Sequence, residues 1–289
     1  DTFKDGGLNT AGLIGRKIKF YYTESVDGVK TLVYIENRTD DAKVLTINAL
    51  NIERVSGTFN SGVTVDYWAD KDTDTRVTTI EIEKDPKIMF NGGATDNDSV
   101  SILKPETGYI ELVDTNGDGK YDNVFITSYE TYVIKSINST NKTIVGQYTN
   151  KTLSLDDDST NNIVTIKSVT GNTLSFSSLA KWNVLSVKAG RSGSREVIDV
   201  IVSTDVKSGS ITAIDDFETI SISNTQYKLS KFFLDIDKDK EDIELKIDDS
   251  GKFYLDKDGK IAAVDKTAVS TNYAYLLASN YRAGKLEFT

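Results

Sequence analysis

The sequence lacks histidine and cysteine altogether, and it has only 2 Pro and 1 Met among 289 residues. Without cysteine there are no disulfides and no thiol chemistry. Without either residue, the usual zinc and haem ligands are missing. The absence of histidine also excludes every catalytic triad built on an imidazole base. Any catalysis would therefore depend on carboxylates, Lys, Tyr, Ser or a hard cation.

Long apolar runs and an excess of positive charge are also missing. No run approaches the roughly 20 apolar residues of a membrane-spanning helix, so we expect no membrane span. With 44 acidic against 34 basic residues and a net charge of −10, the surface should repel phosphate backbones, which disfavours nucleic acid as a partner. The chain opens at Asp1 without a signal peptide, as expected of a mature or trimmed segment. A cysteine-free acidic chain rich in Asn, Thr, Ser and Asp suits an exported bacterial surface protein.

Alternation with a period of two dominates what is present. In GRKIKFYY, Ile18, Phe20 and Tyr22 fall on one side of the chain, while Lys17 and Lys19 fall on the other. This pattern predicts a half-buried strand. Similar runs, separated by turn dipeptides such as Asp-Gly and Asn-Gly, recur along the chain. No helical stripe lasts 12 residues, and the best short helical candidates are 177–182 and 230–235. The sequence therefore predicts an all-β fold with few short helices.

A unit of strand, glycine-containing polar turn and strand occurs four times, beginning at Gly15, Gly108, Asn183 and Gly251. Looser strand pairs follow the first three units. Each group has enough strands for a small barrel or sandwich. We therefore expect serial β-modules over residues 1–104, 105–205 and 206–289. The second module carries an acidic hairpin loop, and the third ends in residues that read as the start of a further unit.

Several phrases carry a family resemblance: LIGRKIKFYY, GYIELVDTNGDGKYDNVFITSYETYVI, SFSSLAKWNVLSV, YKLSKFF and GKFYLDKDGKIAAVD. In this order they resemble large cell-surface proteins of Clostridia and related Firmicutes, which carry surface-layer-homology domains and form, or attach to, the paracrystalline surface layer. The resemblance covers most of residues 12–277. It implies an extracellular, wall-associated structural or adhesive segment. Its partners would be other copies of itself, neighbouring surface-layer proteins or cell-wall glycans. The wall-anchoring modules themselves are not recognisable.

The stretch DTNGDGKYD is a candidate calcium loop. It places oxygen donors at positions one, three, five, seven and nine, namely Asp114, Asn116, Asp118, the backbone carbonyl of Lys120, and Asp122. Calcium takes six to eight such oxygens, and Gly119 at position six permits the sharp turn. Position twelve is Phe125 instead of a bidentate Glu, which excludes the helix-loop-helix calcium hand. The pattern D-x-N-x-D-G-x-x-D resembles the β-hairpin calcium loops of integrin-type propeller blades.

A plain hairpin tip explains the same loop equally well, because Asn-Gly and Asp-Gly are favoured turn dipeptides. Against this alternative, three Asp within nine residues repel one another without a cation. Calcium, if bound, would stiffen the hairpin and take no part in catalysis. A second acidic run, LDIDKDKED, has Asp235, Asp237 and Asp239 at alternate positions but Lys240 where the glycine would stand. Asp256 with Asp258-Gly259 indicates a tight hairpin turn.

The leading functional hypothesis is a non-enzymatic structural segment that acts as a spacer, lattice or adhesive module. The alternative is a carbohydrate- or host-binding adhesin that uses exposed aromatics, above all Trp68, which shares the side of its strand with Asp66. A carboxylate-dependent hydrolase ranks third, because no spacing among the 44 acidic residues singles out a catalytic pair.

Overall fold

A computed structural model describes residues 2–4, 13, 16–39, 43–95, 98–158, 162–192, 195–236, 243–266, 279–282 and 285–288. Most of these residues lie in β-strands, and the single α-helix among them, α1, is Lys231–Asp235. The all-β prediction is therefore confirmed at the level of fold class. The chain divides into two compact units, Asp1–Ser203 and Thr204–Thr289.

The first unit opens with an antiparallel ribbon of two strands, β1 (Ile18–Glu24) and β2 (Lys30–Asn37), with an irregularity between Tyr21 and Tyr22. Every side chain of β1 is exposed, and Ile18, Phe20 and Tyr22 keep 39%, 40% and 44% of their surface. The prediction that these three form a buried face is wrong. Their alternation is real, but no second layer among the described residues covers them.

A seven-stranded sheet follows the ribbon. Its strands are β3 (Val44–Asn48), β4 (Ile52–Thr58), β5 (Gly62–Tyr67), β6 (Thr78–Phe90), β7 (Gly93–Ala94), β8 (Gly108–Val113) and β9 (Tyr121–Ser128). Their order is β3-β8-β9-β6-β5-β4, with β7 also paired to β6. The pairs are antiparallel except for β6 with β9. The predicted boundary near residue 104 falls between strands of this one sheet. Its apolar side chains form a core of their own, from Ile47 to Ile126.

The last sheet of this unit has six strands: β10 (Glu130–Asn138), β11 (Thr143–Gly146), β12 (Thr152–Ser154), β13 (Asn162–Ser168), β14 (Val184–Ser192) and β15 (Arg195–Ser203). Their order is β12-β11-β10-β14-β15-β13, and the β13–β15 pair is parallel. A second, separate core runs from Tyr132 to Val202. Of the helical candidate 177–182, only the start takes part in a 3₁₀ turn, Phe176–Ser178.

The seven- and six-stranded sheets meet at Asn91. Its Nδ2 donates to the carbonyls of Ser128 (3.1 Å) and Ala189 (2.8 Å), while its Oδ1 accepts from the Ser128 backbone N–H (2.8 Å). Gly190 makes the close approach possible, since a Cβ there would lie 2.3 Å from the Asn91 carbonyl oxygen. One side chain therefore bonds to strands of both sheets.

The second unit is an antiparallel sheet of β16 (Val206–Ile214), β17 (Thr219–Ile222), β18 (Thr225–Lys228), β19 (Ser250–Leu255) and β20 (Ile261–Asp265), in the order β18-β17-β16-β19-β20. A separate pair joins β21 (Ser279–Arg282) and β22 (Lys285–Phe288). The unit begins close to the predicted boundary at residue 205.

Helix α1 lies within the candidate segment 230–235. Its N-cap is Ser230, whose Oγ accepts from the Phe233 backbone N–H at 3.1 Å, and the Phe233 side chain is fully buried. Among the described residues, no helix combines the length and apolar character needed to cross a bilayer.

Candidate functional site

The 114–122 loop joins β8 to β9 at the edge of the first core. Ile110, Leu112 and Val113 are buried, so the strand carries its apolar side chains up to the loop. The backbone N–H of Asp114 then donates to the Lys43 carbonyl at 3.0 Å, which ties the start of the loop to the chain entering β3. The loop therefore has a fixed base.

Asp114 organises the loop from inside it. The residue is 7% exposed, and its Oδ1 and Oδ2 accept from the backbone N–H groups of Gly117 (2.5 Å) and Gly119 (3.1 Å). Both glycines have positive φ, 83° and 91°, a conformation that glycine adopts without steric cost. The two Xaa-Gly dipeptides thus turn two N–H groups towards one carboxylate.

Asn116 and Asp118 each hold the backbone two residues ahead. Asn116 Oδ1 accepts from the Asp118 N–H at 2.9 Å, and Asp118 Oδ1 accepts from the Lys120 N–H at 2.9 Å. The Lys120 N–H is the largest of the causes that lower the pKa of Asp118. Asn116 Nδ2 also donates to Glu83 Oε1 at 2.7 Å. The pattern is a series of side-chain-capped turns.

Asp122 closes the loop from its far end. Its carboxylate accepts from the Thr115 backbone N–H at 3.3 Å, from the Thr115 hydroxyl, and from Asn123 Nδ2 at 2.5 Å. The four side chains predicted as ligands therefore all accept hydrogen bonds within this hairpin.

Two lysine ammonium groups, one from the loop itself and one from a neighbouring segment, lie close to the loop. Lys120 Nζ pairs with Glu81 Oε2 at 2.7 Å, and this hydrogen bond is the main cause that raises the pKa of Lys120. Only the backbone carbonyl of Lys120 is therefore available to the loop, as the sequence pattern supposes. Lys43 Nζ lies beside Gly117, where it would meet an added Cβ at 2.4 Å. The Lys43 ammonium therefore lies close to the turn at Gly117.

The donor set fits a hard cation in chemistry, since carboxylate, amide and carbonyl oxygens are the ligands that calcium takes. The arrangement of these donors does not fit, because their oxygens do not converge on a common point. No group of three or more acidic side chains in the described residues is placed to hold a metal ion. Calcium in this loop would require carboxylates such as Asp118 and Asp122 to turn from their N–H and O–H donors towards a common point.

The other acidic runs differ from this loop. Asp256 is 8% exposed, and its Oδ1 accepts from the backbone N–H groups of both Asp258 and Lys260 at 2.9 Å, which makes the tight hairpin turn predicted for this segment. Burial is the main cause that raises the pKa of Asp256. In LDIDKDKED, Asp237 and Asp239 lie outside the described residues, and Asp235 is ion-paired with Lys231.

Trp68 lies directly after β5 and is half-buried. Its backbone N–H donates to the Asn51 carbonyl at 2.8 Å, and its indole Nε1 donates to Glu53 Oε2 at 3.0 Å. Asp66, predicted to share its side of the strand, is buried and bonded to Arg54 and Thr79. The indole is thus held against the protein by a carboxylate.

Sequence reasoning missed Lys43, Glu81 and Glu83, which surround the loop. The two glutamates lie on β6, which reaches the loop through its parallel pairing with β9, and the register of that pair shifts between Ile82 and Lys87. Lys43 arrives through the β3–β8 pair. Local patterns carry no signal for either contact, since both depend on long-range strand pairing.

Comparison of the chain with protein-family models, curated proteins and solved structures finds no significant match.

Proposed function

We propose that this chain is a non-enzymatic, extracellular structural segment of a bacterial surface-layer or surface-associated protein, acting as a spacer, lattice or adhesive module. One observation carries the proposal: successive sheets have hydrophobic cores of their own. The core of the seven-stranded sheet ends at Ile126, and that of the six-stranded sheet begins at Tyr132. In a serial array of domains, each domain has a hydrophobic core of its own.

In this proposal each sheet folds around its core as a small barrel or sandwich, giving modules near residues 43–128, 130–203 and 204–266. The bacterial cell surface or cell wall is the proposed location, because several stretches of the sequence resemble, in the same order, surface-layer proteins. Asn91 supports a mechanical role for the chain, because its hydrogen bonds to Ser128 and Ala189 restrain the junction between the first two modules.

Calcium is proposed as a structural ion of the 114–122 loop. The ligands would be Asp114, Asn116, Asp118, Asp122 and the carbonyl of Lys120. The two backbone hydrogen bonds to Asp114 support this, because they already wrap the backbone around the first ligand. Bound calcium would neutralise the carboxylates, displace the Lys43 ammonium and stiffen the hairpin. An ion present at 100 times its dissociation constant stabilises the folded state by about 2.7 kcal/mol.

Immunogold labelling of intact, unpermeabilised source cells tests the location. We expect dense label on the outer surface, with a cytoplasmic marker unlabelled. Label that appears only after lysis would contradict the proposed surface role.

Hydrogen exchange of chelator-treated and calcium-loaded protein tests the stiffening. Slower exchange is expected at the amides of Gly117 and Gly119, because bound calcium would fix the Asp114 carboxylate to which both donate, while the 256–260 hairpin stays unchanged. Equal exchange in both samples would leave the loop as a plain turn.

The adhesin alternative has one observation in its favour, the exposed aromatics of the β1–β2 ribbon. Tyr21 and Tyr34 lie opposite each other and expose 48% and 55% of their surface. Glycan-array binding that is lost in Tyr21→Ala or Trp68→Ala, with the fold retained, would favour this alternative. Binding to no glycan would favour the structural role.

A further inference from the structure

The ribbon has an open edge on β1. Strand β2 pairs with β1 on one side and with Lys4 on the other, where the Lys4 N–H donates to the Lys30 carbonyl and the Leu32 N–H donates to the Lys4 carbonyl, both at 2.9 Å. Within the described ranges, β1 hydrogen-bonds along its length only to β2. A two-stranded ribbon is marginally stable alone, and an exposed apolar edge is a template for another strand.

The alternating direction of the backbone N–H and C=O groups shows which residues of β1 face the open edge. The Lys17 carbonyl accepts from the Arg38 N–H, and the Ser25 N–H donates to the Val29 carbonyl, so both residues turn towards the β2 side. Alternate residues of an antiparallel strand turn the other way. The N–H and C=O groups of Phe20, and of Ile18 and Tyr22 on either side of it, therefore point outward.

Apolar and aromatic side chains accompany this edge. Phe3 packs edge-on against both Phe20 and Tyr22, with ring centroids 5.1 Å apart in each pair. On the opposite side, Lys19 Nζ lies 5.1 Å from the centroid of the Tyr21 ring. Natural edges are usually protected by short strands, prolines, bulges or charged side chains, above all Lys. β1 is seven residues long and contains no proline, and its one lysine, Lys19, lies over the Tyr21 ring.

We propose that β1 pairs antiparallel with β1 of a second copy of this chain, around a two-fold axis at Phe20. Phe20 then lies opposite Phe20 of the partner copy, Ile18 lies opposite Tyr22, and Lys19 lies opposite Tyr21. The two ribbons become one four-stranded sheet with an isologous interface. The inference rests on the proposed structural role, in which copies of the chain contact one another. The β1 pairing assigns that contact to a defined surface.

Side-chain chemistry selects this register from its neighbours. Moving the axis to Tyr21 places Ile18 opposite Glu24, and moving it to Tyr22 places Phe20 opposite Glu24. Both shifts oppose an apolar side chain to a carboxylate, whereas the axis at Phe20 pairs apolar with apolar and an ammonium with an aromatic ring.

Cysteine cross-linking tests the pairing cleanly, because the chain has no native Cys. The single variants are Phe20→Cys, Tyr21→Cys and Tyr22→Cys, with Val26→Cys in the fully exposed ribbon turn as the collision control. Residues paired at the axis are held about 5.5 Å apart at Cα, within disulfide range. We expect Phe20→Cys to form a covalent dimer about tenfold faster than Val26→Cys. Faster cross-linking at 21, 22 or 26 would overturn the proposal.

Sedimentation equilibrium of the full chain provides a second test. We expect the unmodified protein to reach twice its 31.9 kDa mass with rising concentration. Phe20→Lys, which sets two ammonium groups together at the axis, should stay at the single-chain mass. Tyr34→Lys, with a similarly exposed aromatic on β2, should still dimerise, and circular dichroism checks the fold of both. An unmodified protein that stays monomeric, or a dimeric Phe20→Lys, overturns the pairing. The surface location and the calcium loop would still depend on their own experiments.

Discussion

The two acidic hairpins, β8–β9 and β19–β20, follow the same plan in sequence but differ in how they use their first aspartate. Asp114 divides its two oxygens between the N–H groups of Gly117 and Gly119. Asp256 gives one oxygen to the N–H groups of both Asp258 and Lys260. A tight turn is thus satisfied by a single carboxylate oxygen, whereas the longer loop needs several capping side chains.

The two hairpins also differ in electrostatics. Burial dominates at Asp256 and raises its pKa, whereas hydrogen bonding, first of all from the Lys120 N–H, lowers the pKa of exposed Asp118. The β19–β20 turn therefore carries a charge that burial disfavours. In the β8–β9 loop the lowered pKa of Asp118 favours its ionised form, which is the state in which a carboxylate binds calcium.

Replacing the first glycine of each hairpin with alanine should give the largest difference in stability loss between the two hairpins. Gly108 has φ +106°, and a Cβ there would lie 2.0 Å from the Thr127 carbonyl oxygen. We expect Gly108→Ala to lower the free energy of unfolding by about 3 kcal/mol. At Gly251 the added Cβ would meet the Asp265 carbonyl oxygen at 2.9 Å, without positive φ, and the expected loss is about 1 kcal/mol. Urea unfolding measures both, and equal losses would contradict the account.

Removal of the first aspartate should have the next largest effect. Asp114→Ala deprives two backbone N–H groups of a charged acceptor, so we expect it to cost about 2 kcal/mol in chelator-treated protein. Asp256→Ala also leaves two N–H groups unpaired, but it removes a charge that burial disfavours, since burial raises the pKa of Asp256. Its expected cost is smaller, about 1 kcal/mol. A larger loss for Asp256→Ala would reverse the proposed roles of the two residues.

Asp256→Asn should have the smallest effect on the free energy of unfolding, and it should raise this free energy where the other substitutions lower it. The amide keeps the Oδ1 acceptor and removes the charge. Because the folded-state pKa is raised, wild-type stability falls as pH rises from near 3.8 through that pKa, and the cost remains at neutral pH. We expect Asp256→Asn to gain less than about 1 kcal/mol at pH 7 and to lose this part of the pH dependence. Thermal melts from pH 3 to 7, with Asp85→Asn at an exposed position of another sheet as control, check it. A destabilised Asp256→Asn would show that the charge is needed for the two hydrogen bonds.

Much of the strand pattern could be predicted from the sequence, because alternation and turn dipeptides are local. Strands β8, β9, β19 and β20 and their two turns follow from such patterns. What a period of two cannot tell is whether a second layer covers the apolar side, which is why Phe20 was expected to be buried. Nor could it predict the parallel pairs β6–β9 and β13–β15, which join strands far apart in the chain.

The candidate site was predictable to the same extent. The ligand positions Asp114 to Asp122 lie within one loop, so their spacing could be read directly. The surroundings of the loop, Lys43 with Glu81 and Glu83, come from strands β3 and β6 or the residues beside them. Long-range strand pairing brings these charged side chains to the loop, and only the three-dimensional structure shows them.

Calorimetric titration of calcium into chelator-treated protein tests the central claim most directly. Asp118→Asn keeps the Oδ1 acceptor for the Lys120 N–H and removes one ligand charge, and Asp258→Asn makes the same change in the other hairpin. The account predicts one calcium-binding event in the unmodified protein and in Asp258→Asn, and affinity at least about tenfold weaker in Asp118→Asn. No binding heat and no rise in melting temperature in the unmodified protein, or equal affinity in all three, would contradict it.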